Sequence, residues 1–164
     1  MNRSNAERLL GLAANEADRL IRHLFVAAAL REVMDTDPIV VGGTAEEYWT
    51  AAAYHETDLD LCAPVSGRDA STLEELGFER EGRHWVWGGP ERWVAVEFRN
   101  SMVDGDESRT RDVPVGNGAA RVIGLDDLYL DRLRQATIDE RGERVEFNSA
   151  LAVAAARYAL AASA

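Results

Sequence analysis

The chain has 164 residues, 46 % of them apolar and 29 % charged, which is enough for one hydrophobic core in a single domain. Its net charge of −11 argues against sequence-independent DNA binding, although a local arginine patch could still face an RNA segment. The lone Cys62 excludes an internal disulfide framework and a cysteine zinc cluster. No apolar run reaches the ~18–20 residues of a membrane span. The opening Met1–Glu7 carries an acid and no apolar stretch, so no secretion signal and a cytoplasmic location are expected. All 18 basic residues are arginine.

In chain order, Ser4 to Met34 reads as a helix broken near Gly11, with Leu20, Ile21, Leu24, Phe25 and Ala28 on one face. Asp35-Thr36-Asp37-Pro38 ends it, because the residue before proline avoids the helical region. Ile39-Val40-Val41 is a short buried strand, Gly42-Gly43 a tight turn, and Thr44 the expected cap of a helix running to about Ala53. Glu46 and Glu47 are assigned to that helix's first turn, where the dipole favours acids.

Thr57 to Cys62 alternates Asp58 and Asp60 outward with Leu59 and Leu61 inward, the period of a strand. Arg68 to Leu76 is a helix closed by Gly77. Arg83–Trp87 and Trp93–Arg99 form a hairpin across Gly88-Gly89-Pro90. Met102 to Arg111 is a polar loop, followed by a second hairpin, Val113–Val115 with Arg121–Ile123. Helices are expected over Leu125–Gln135 and Glu146–Ala162. The fold class is α/β (α+β), a small mixed β-sheet flanked by helices. Residues 1–164 form one domain with a core at about 38–135, an N-terminal helix at 4–34 and a C-terminal helix at 146–162.

Three acids and a glycine corner carry the chemistry. Asp58 and Asp60, two apart on a strand, point to one face with roots roughly 6–7 Å apart, a span over which two carboxylates can hold Mg²⁺ (or Mn²⁺) on a triphosphate. Gly42 and Gly43 lack a Cβ, so a phosphate can approach their backbone at the start of a helix, where N–H groups point outward. Thr44 adds a hydroxyl donor. Glu97 lies opposite Val94 and Val96 in a β-prone run and needs a partner, either a metal shared with the aspartates or an acceptor hydroxyl.

Gly-Gly-Thr, a helix, then Thr-Asp-Leu-Asp-Leu resembles the nucleotidyltransferase superfamily, the DNA polymerase β-like fold. Leu76-Gly77-Phe78, Gly82-Arg83-His84-Trp85, Val96-Glu97-Phe98, Val122 to Leu128 and Asp131-Arg132-Leu133 extend it. Together they resemble a little-characterised nucleotidyltransferase family related to AbiEii-type toxins, over roughly residues 38 to 135. The resemblance implies metal-dependent transfer of a nucleoside monophosphate from an NTP to an RNA or protein acceptor, with a toxin–antitoxin module and an antitoxin partner among the possibilities. It assigns phosphate to Gly43 and Thr44, with Gly42 beside them. Metal falls to Asp58 and Asp60, and the third acid and base is Glu97. Arg109 or Arg111 would meet the triphosphate in place of a lysine. The alternative is a catalytically silent nucleotide- or metal-binding module of the same fold.

The remaining candidates weigh toward structure. His55 and His23 read as a loop and a helix-face histidine, and His84 with Arg83 as a strand edge able to touch a nucleotide. Trp85, Trp87 and Trp93 are expected in hairpin core and rim. Cys62 is expected to be a small buried hydrophobe. Arg132 is expected on a solvated face, or paired with a site acid.

Overall fold

A computed structural model describes residues 1–51, 58–99, 103, 105–138 and 144–162. Two helices, α1 (Arg3–Asn15) and α2 (Arg19–Val33), precede a short strand β1 (Ile39–Val40), helix α3 (Gly42–Trp49) and strand β2 (Asp58–Cys62). Helix α4 (Gly67–Glu75) leads into β3 (Glu79–Glu81), β4 (His84–Trp87) and β5 (Val94–Phe98). A 3₁₀ turn (Glu107–Arg109), the hairpin β6 (Arg111–Val115) and β7 (Gly118–Val122), and helices α5 (Leu125–Ile138) and α6 (Arg144–Ala162) complete the described chain.

Seven strands make one mixed sheet in the order β3-β4-β5-β2-β1-β7-β6. The pairs β1–β7 and β2–β5 are parallel and the others antiparallel. One side of the sheet packs Leu59, Leu61, Val94, Val96 and Trp85 into the core with Leu73 of α4 and Phe78. Helix α2 covers β7 and β6, and α5 and α6 pack together against α3. No described helix is long and apolar enough to cross a membrane.

Several boundaries differ from those read in the sequence, each for a local reason. The first helix breaks at residues 16–18 rather than at Gly11. Asp18 caps α2 by accepting from the Ile21 N–H, and Arg22 donates to the carbonyls of Glu16 and Ala17. Gly11 stays helical on an open face. Helix α3 begins at Gly42 itself, capped by Val41 without a side-chain bond, so Thr44 lies inside the helix and caps nothing. It ends at Trp49, with Ala51 in the left-handed region at φ 52°.

Glu46 and Glu47 stand beyond the first turn and are buried. Glu46 pairs with Arg132 at 3.2 Å and accepts from the Ser149 hydroxyl, and Glu47 pairs with Arg19 at 3.4 Å. Arg132 therefore lies in a buried pair on α3, neither on a solvated face nor on a site acid. Strand β3 has no apolar alternation to announce it, since its three residues Glu79-Arg80-Glu81 are all exposed. The expected Met102–Arg111 loop holds the 3₁₀ turn and the start of β6, where a register opposite β7 extends pairing to Arg111; residues 102 and 104 lie outside those described. Gly77, at φ +87°, closes α4 as its sequence suggested, with Phe78 N–H donating to Leu73 O at 3.0 Å.

Candidate active site

Strand register decides which side chains meet. In the parallel β2–β5 pair, Asp60 stands opposite Glu97 and Asp58 opposite Ala95. Glu97 in turn faces His84 on β4, and His84 faces Glu81 on β3. Cross-strand partners share a face, so one row reads Glu81, His84, Glu97, Asp60. The adjacent row reads Glu79, Val86, Ala95, Asp58. Both rows lie on the side opposite the apolar core. Asp58, Asp60 and Glu97 are thus brought to one face of two neighbouring strands.

Asp60 does not point into open solvent. It is 4 % exposed, and its carboxylate rests against Gly42. A Cβ built on Gly42 would collide with Asp60 Oδ2 and lie 2.9 Å from its Cγ. Gly42 also adopts φ +61°, a conformation glycine takes at no steric cost. The glycine therefore makes room for the acid and lets the chain turn into α3. The Asp60 anion then meets the start of a helix, where the partial positive charge favours it. The strand ladder continues here through the Val41 N–H, which donates to Asp60 O at 3.0 Å.

Arg99, one residue past β5, spans the two acids. Its Nε donates to Asp60 Oδ1 at 2.8 Å and its Nη2 to Glu97 Oε2 at 3.3 Å. Burial holds the Asp60 carboxyl above the ordinary carboxylate range, against the opposing pull of Arg99, while Glu97 and Asp58 push it the same way as burial. Arg83 Nε stands 3.6 Å from Glu97 Oε1. His84 Nε2 lies between two acids, 3.7 Å from Asp58 Oδ2 and 3.9 Å from Glu97 Oε2, buried and without a hydrogen-bond partner among the described residues.

Thr44 is completely buried. Its hydroxyl donates to Asp58 O at 3.0 Å and lies 3.3 Å from His23 Nδ1, so it ties α3 to the acidic strand from behind. His23 is 1 % exposed, and burial, with Arg19 and Arg22 nearby, lowers its pKa to about 4. Gly43 is buried at the same corner. His55 and Thr57 lie outside the described residues.

Arg109 and Arg111 lie elsewhere. Arg111 is on β6, three strands from β2 and so roughly 14 Å across the sheet. Arg109 pairs with Asp127 at 3.2 Å and Asp106 at 3.6 Å, and Arg111 lies 5.6 Å from the centre of the Trp49 ring. Both line a groove of about 820 Å³ with Arg157 and Tyr158. A different cavity, about 630 Å³, opens beside Asp58 over the floor made by Ala95 and Val86, and His84, Glu79, Glu81 and Trp93 line it. Arg99 went unassigned in the sequence reading. Its signal is the strand period: it falls two residues after Glu97 and so on the same face.

The donor set suits a hard divalent cation, being carboxylate oxygen from two adjacent strands. Among the described residues, no three His, Cys, Asp or Glu side chains stand close enough to hold an ion as they are, and Asp60 and Glu97 both face the Arg99 guanidinium. That guanidinium nonetheless tests the fit, because it shows a cation received between the two carboxylates, one of them buried.

No protein-family model matches the chain, and no curated protein does. Among solved structures, the chain is similar to an antigenic nucleotidyltransferase-like protein from Paracoccidioides brasiliensis at 14 % identity. That match has a TM-score of 0.64 and covers 84 % of this chain and 76 % of the other. A solution structure of the antibiotic-resistance factor ANT(2'')-Ia matches at 15 % identity and a TM-score of 0.48, covering 88 % of this chain and 90 % of that one. At such identities the likeness concerns the fold: the chain has a nucleotidyltransferase-like fold.

Proposed function

We propose that this protein is a metal-dependent nucleotidyltransferase that moves a nucleoside monophosphate from an NTP to an acceptor hydroxyl. The observation that carries this reading is the shared face of Asp58, Asp60 and Glu97, with Asp60 seated in the space that Gly42 leaves at the start of α3. Asp58 and Asp60 would hold Mg²⁺ or Mn²⁺, with Glu97 as the third carboxylate. Bound there, the cation supplies neutralisation of the triphosphate's charge.

The chain's own groups account for the rest. A phosphate would approach the start of α3 from beside Asp60, whose carboxylate fills the space over Gly42. The cavity lined by Asp58 and His84 is where the acceptor would sit. Glu97 takes the acceptor's hydroxyl proton, with His84 standing between Glu97 and Asp58. The acceptor oxygen forms its bond to the α-phosphorus, the bond to the bridging α–β oxygen breaks, and pyrophosphate leaves with that electron pair. The relation to AbiEii-type toxins, and with it an antitoxin partner, rests on the sequence motifs and belongs to this proposal.

The test is transfer of label from each of four α-³²P NTPs, with Mg²⁺ or Mn²⁺, to cell-extract macromolecules and small molecules. Label should be incorporated with at least one NTP and lost in the Asp58→Asn, Asp60→Asn double variant. No incorporation under any combination overturns the reading. One observation favours the silent binding module: the Arg99 guanidinium lies across two of the three acids. Calorimetric NTP binding with no turnover would select it.

A further inference from the structure

The chain has no lysine, so the permanently charged side chains that could meet a triphosphate here are arginines. Arg111 sits three strands from β2, against Trp49, and Arg109 lies in the turn before it, beside Asp127 and Asp106 and away from the three acids. Arg83 reaches Glu97 from a side chain that is 71 % exposed and does not bridge to Asp60. Arg99 touches both Asp60 and Glu97, on the face where Gly42 opens α3.

Two facts make this contact exchangeable. Asp60 is buried, so whenever its carboxylate is charged it needs a cation close by. Arg99, in contrast, is 52 % exposed along its side chain, so its own share of the pair is partly in water and holds it weakly. A divalent cation can replace it on the carboxylates without leaving Asp60 uncompensated. The guanidinium released in that exchange stays tethered beside the same acids. Its planar fork matches phosphate oxygens two at a time, which a lysine cannot do.

Resting on the reading above, we infer that Arg99 is the triphosphate-binding cation of this protein, held on Asp60 and Glu97 until a metal–nucleotide complex takes its place. The arginine then has two opposed effects: it competes with bare metal for the acids, and it adds affinity for metal–nucleotide. A residue that only braces the strands would not separate these two quantities.

The experiment compares wild type, Arg99→Gln and Arg99→Lys at low ionic strength. Bare Mn²⁺ is titrated by electron paramagnetic resonance of the free ion. Mn²⁺ complexes of the four α,β-imido NTP analogues are titrated by calorimetry, each in turn. In R99Q, Mn²⁺ alone should bind about tenfold tighter and the Mn²⁺–nucleotide complex about tenfold weaker, each tenfold being 1.4 kcal/mol. R99K should bind the nucleotide complex about threefold weaker than wild type, because it keeps the charge and loses the fork. The proposal is overturned if the two affinities of R99Q move together or stay put while wild type binds the nucleotide complex. If wild type binds neither metal nor nucleotide, the transferase reading falls with it. Should R99Q fail to fold by circular dichroism, R99K decides, and an unchanged nucleotide affinity in R99K overturns the proposal.

Discussion

Of the described pairs that set a buried acid against an arginine, two are built to opposite ends. On α3, Glu46 is 1 % exposed along its side chain, and its partner Arg132 is 12 % exposed, so the pair is sealed between α3, α5 and α6. On β2, the side chain of Asp60 is 6 % exposed, yet its partner Arg99 is half in water. A buried ion pair with both members covered cannot exchange a partner without a large desolvation penalty. A buried acid with a solvated partner can. The comparison teaches that a solvated cation leaves a buried acid open to exchange, a property Asp127 shares beside the half-exposed Arg109, and that it is the place of Asp60 on one face with Asp58 and Glu97 that makes its carboxylate a candidate ligand.

The largest expected effect breaks the open pair. Asp58→Asn with Asp60→Asn should lower nucleotidyl transfer by about 10⁴-fold or more, while the thermal midpoint stays near that of wild type, since a buried amide costs less than a buried charge. Breaking the closed pair should do the reverse. Glu46→Ala leaves Arg132 covered and unmatched, and urea unfolding should show a loss of about 3–4 kcal/mol with Mn²⁺ affinity unchanged among molecules that remain folded.

A smaller effect sharpens the comparison from behind the sheet. His23 is buried and neutral, with a pKa of about 4 against an ordinary 6.5. Between those values the unfolded chain binds a proton that the native chain refuses. Stability should therefore rise with pH across this window and fall on acidification from about pH 6.5 towards 4, by up to about 3 kcal/mol. The difference between wild type and His23→Phe in chemical denaturation, followed from pH 7 to 5, isolates that contribution from the carboxylates; a pH-independent difference would refute it.

Gly42→Ala should cost about 1–3 kcal/mol, because it combines a left-handed backbone with a methyl group driven into Asp60. It should weaken nucleotide binding as well, and thermal melting with and without metal–nucleotide would read both. The smallest change is expected at the far groove, where Arg111→Ala should alter nucleotide affinity less than twofold in the same calorimetric assay.

Much of this was legible before any coordinates. Asp58 and Asp60 at strand spacing, and Glu97 opposite two valines, state their own face through a period of two, and Gly77 states a helix end through its left-handed freedom. What could not be read was anything fixed by residues distant in sequence. That Glu97 stands opposite Asp60 is a matter of register between strands separated by a helix and a hairpin. The burial of Glu46 depends on Arg132 and on Ser149 arriving from α5 and α6. The break before Asp18 was misplaced at Gly11 because glycine weakens a helix only slightly, whereas a capping aspartate begins a new one. Arg109 and Arg111 stand near Glu97 along the chain, and the fold carries Arg111 onto the edge strand β6 and Arg109 into the turn before it.

The parallel pairing of β2 with β5 has one more consequence. Because alternate residues point to opposite sides, sliding β2 by a single position would turn Leu59 and Leu61 outward and drive both aspartates into oil, and sliding β5 would do the same to Val94, Val96 and Glu97. The reactive constellation and the hydrophobic interior are thus two readings of one alignment. A chain that collapses with these strands misaligned loses both together, so the meeting of the three acids on one face is itself a gauge of correct folding.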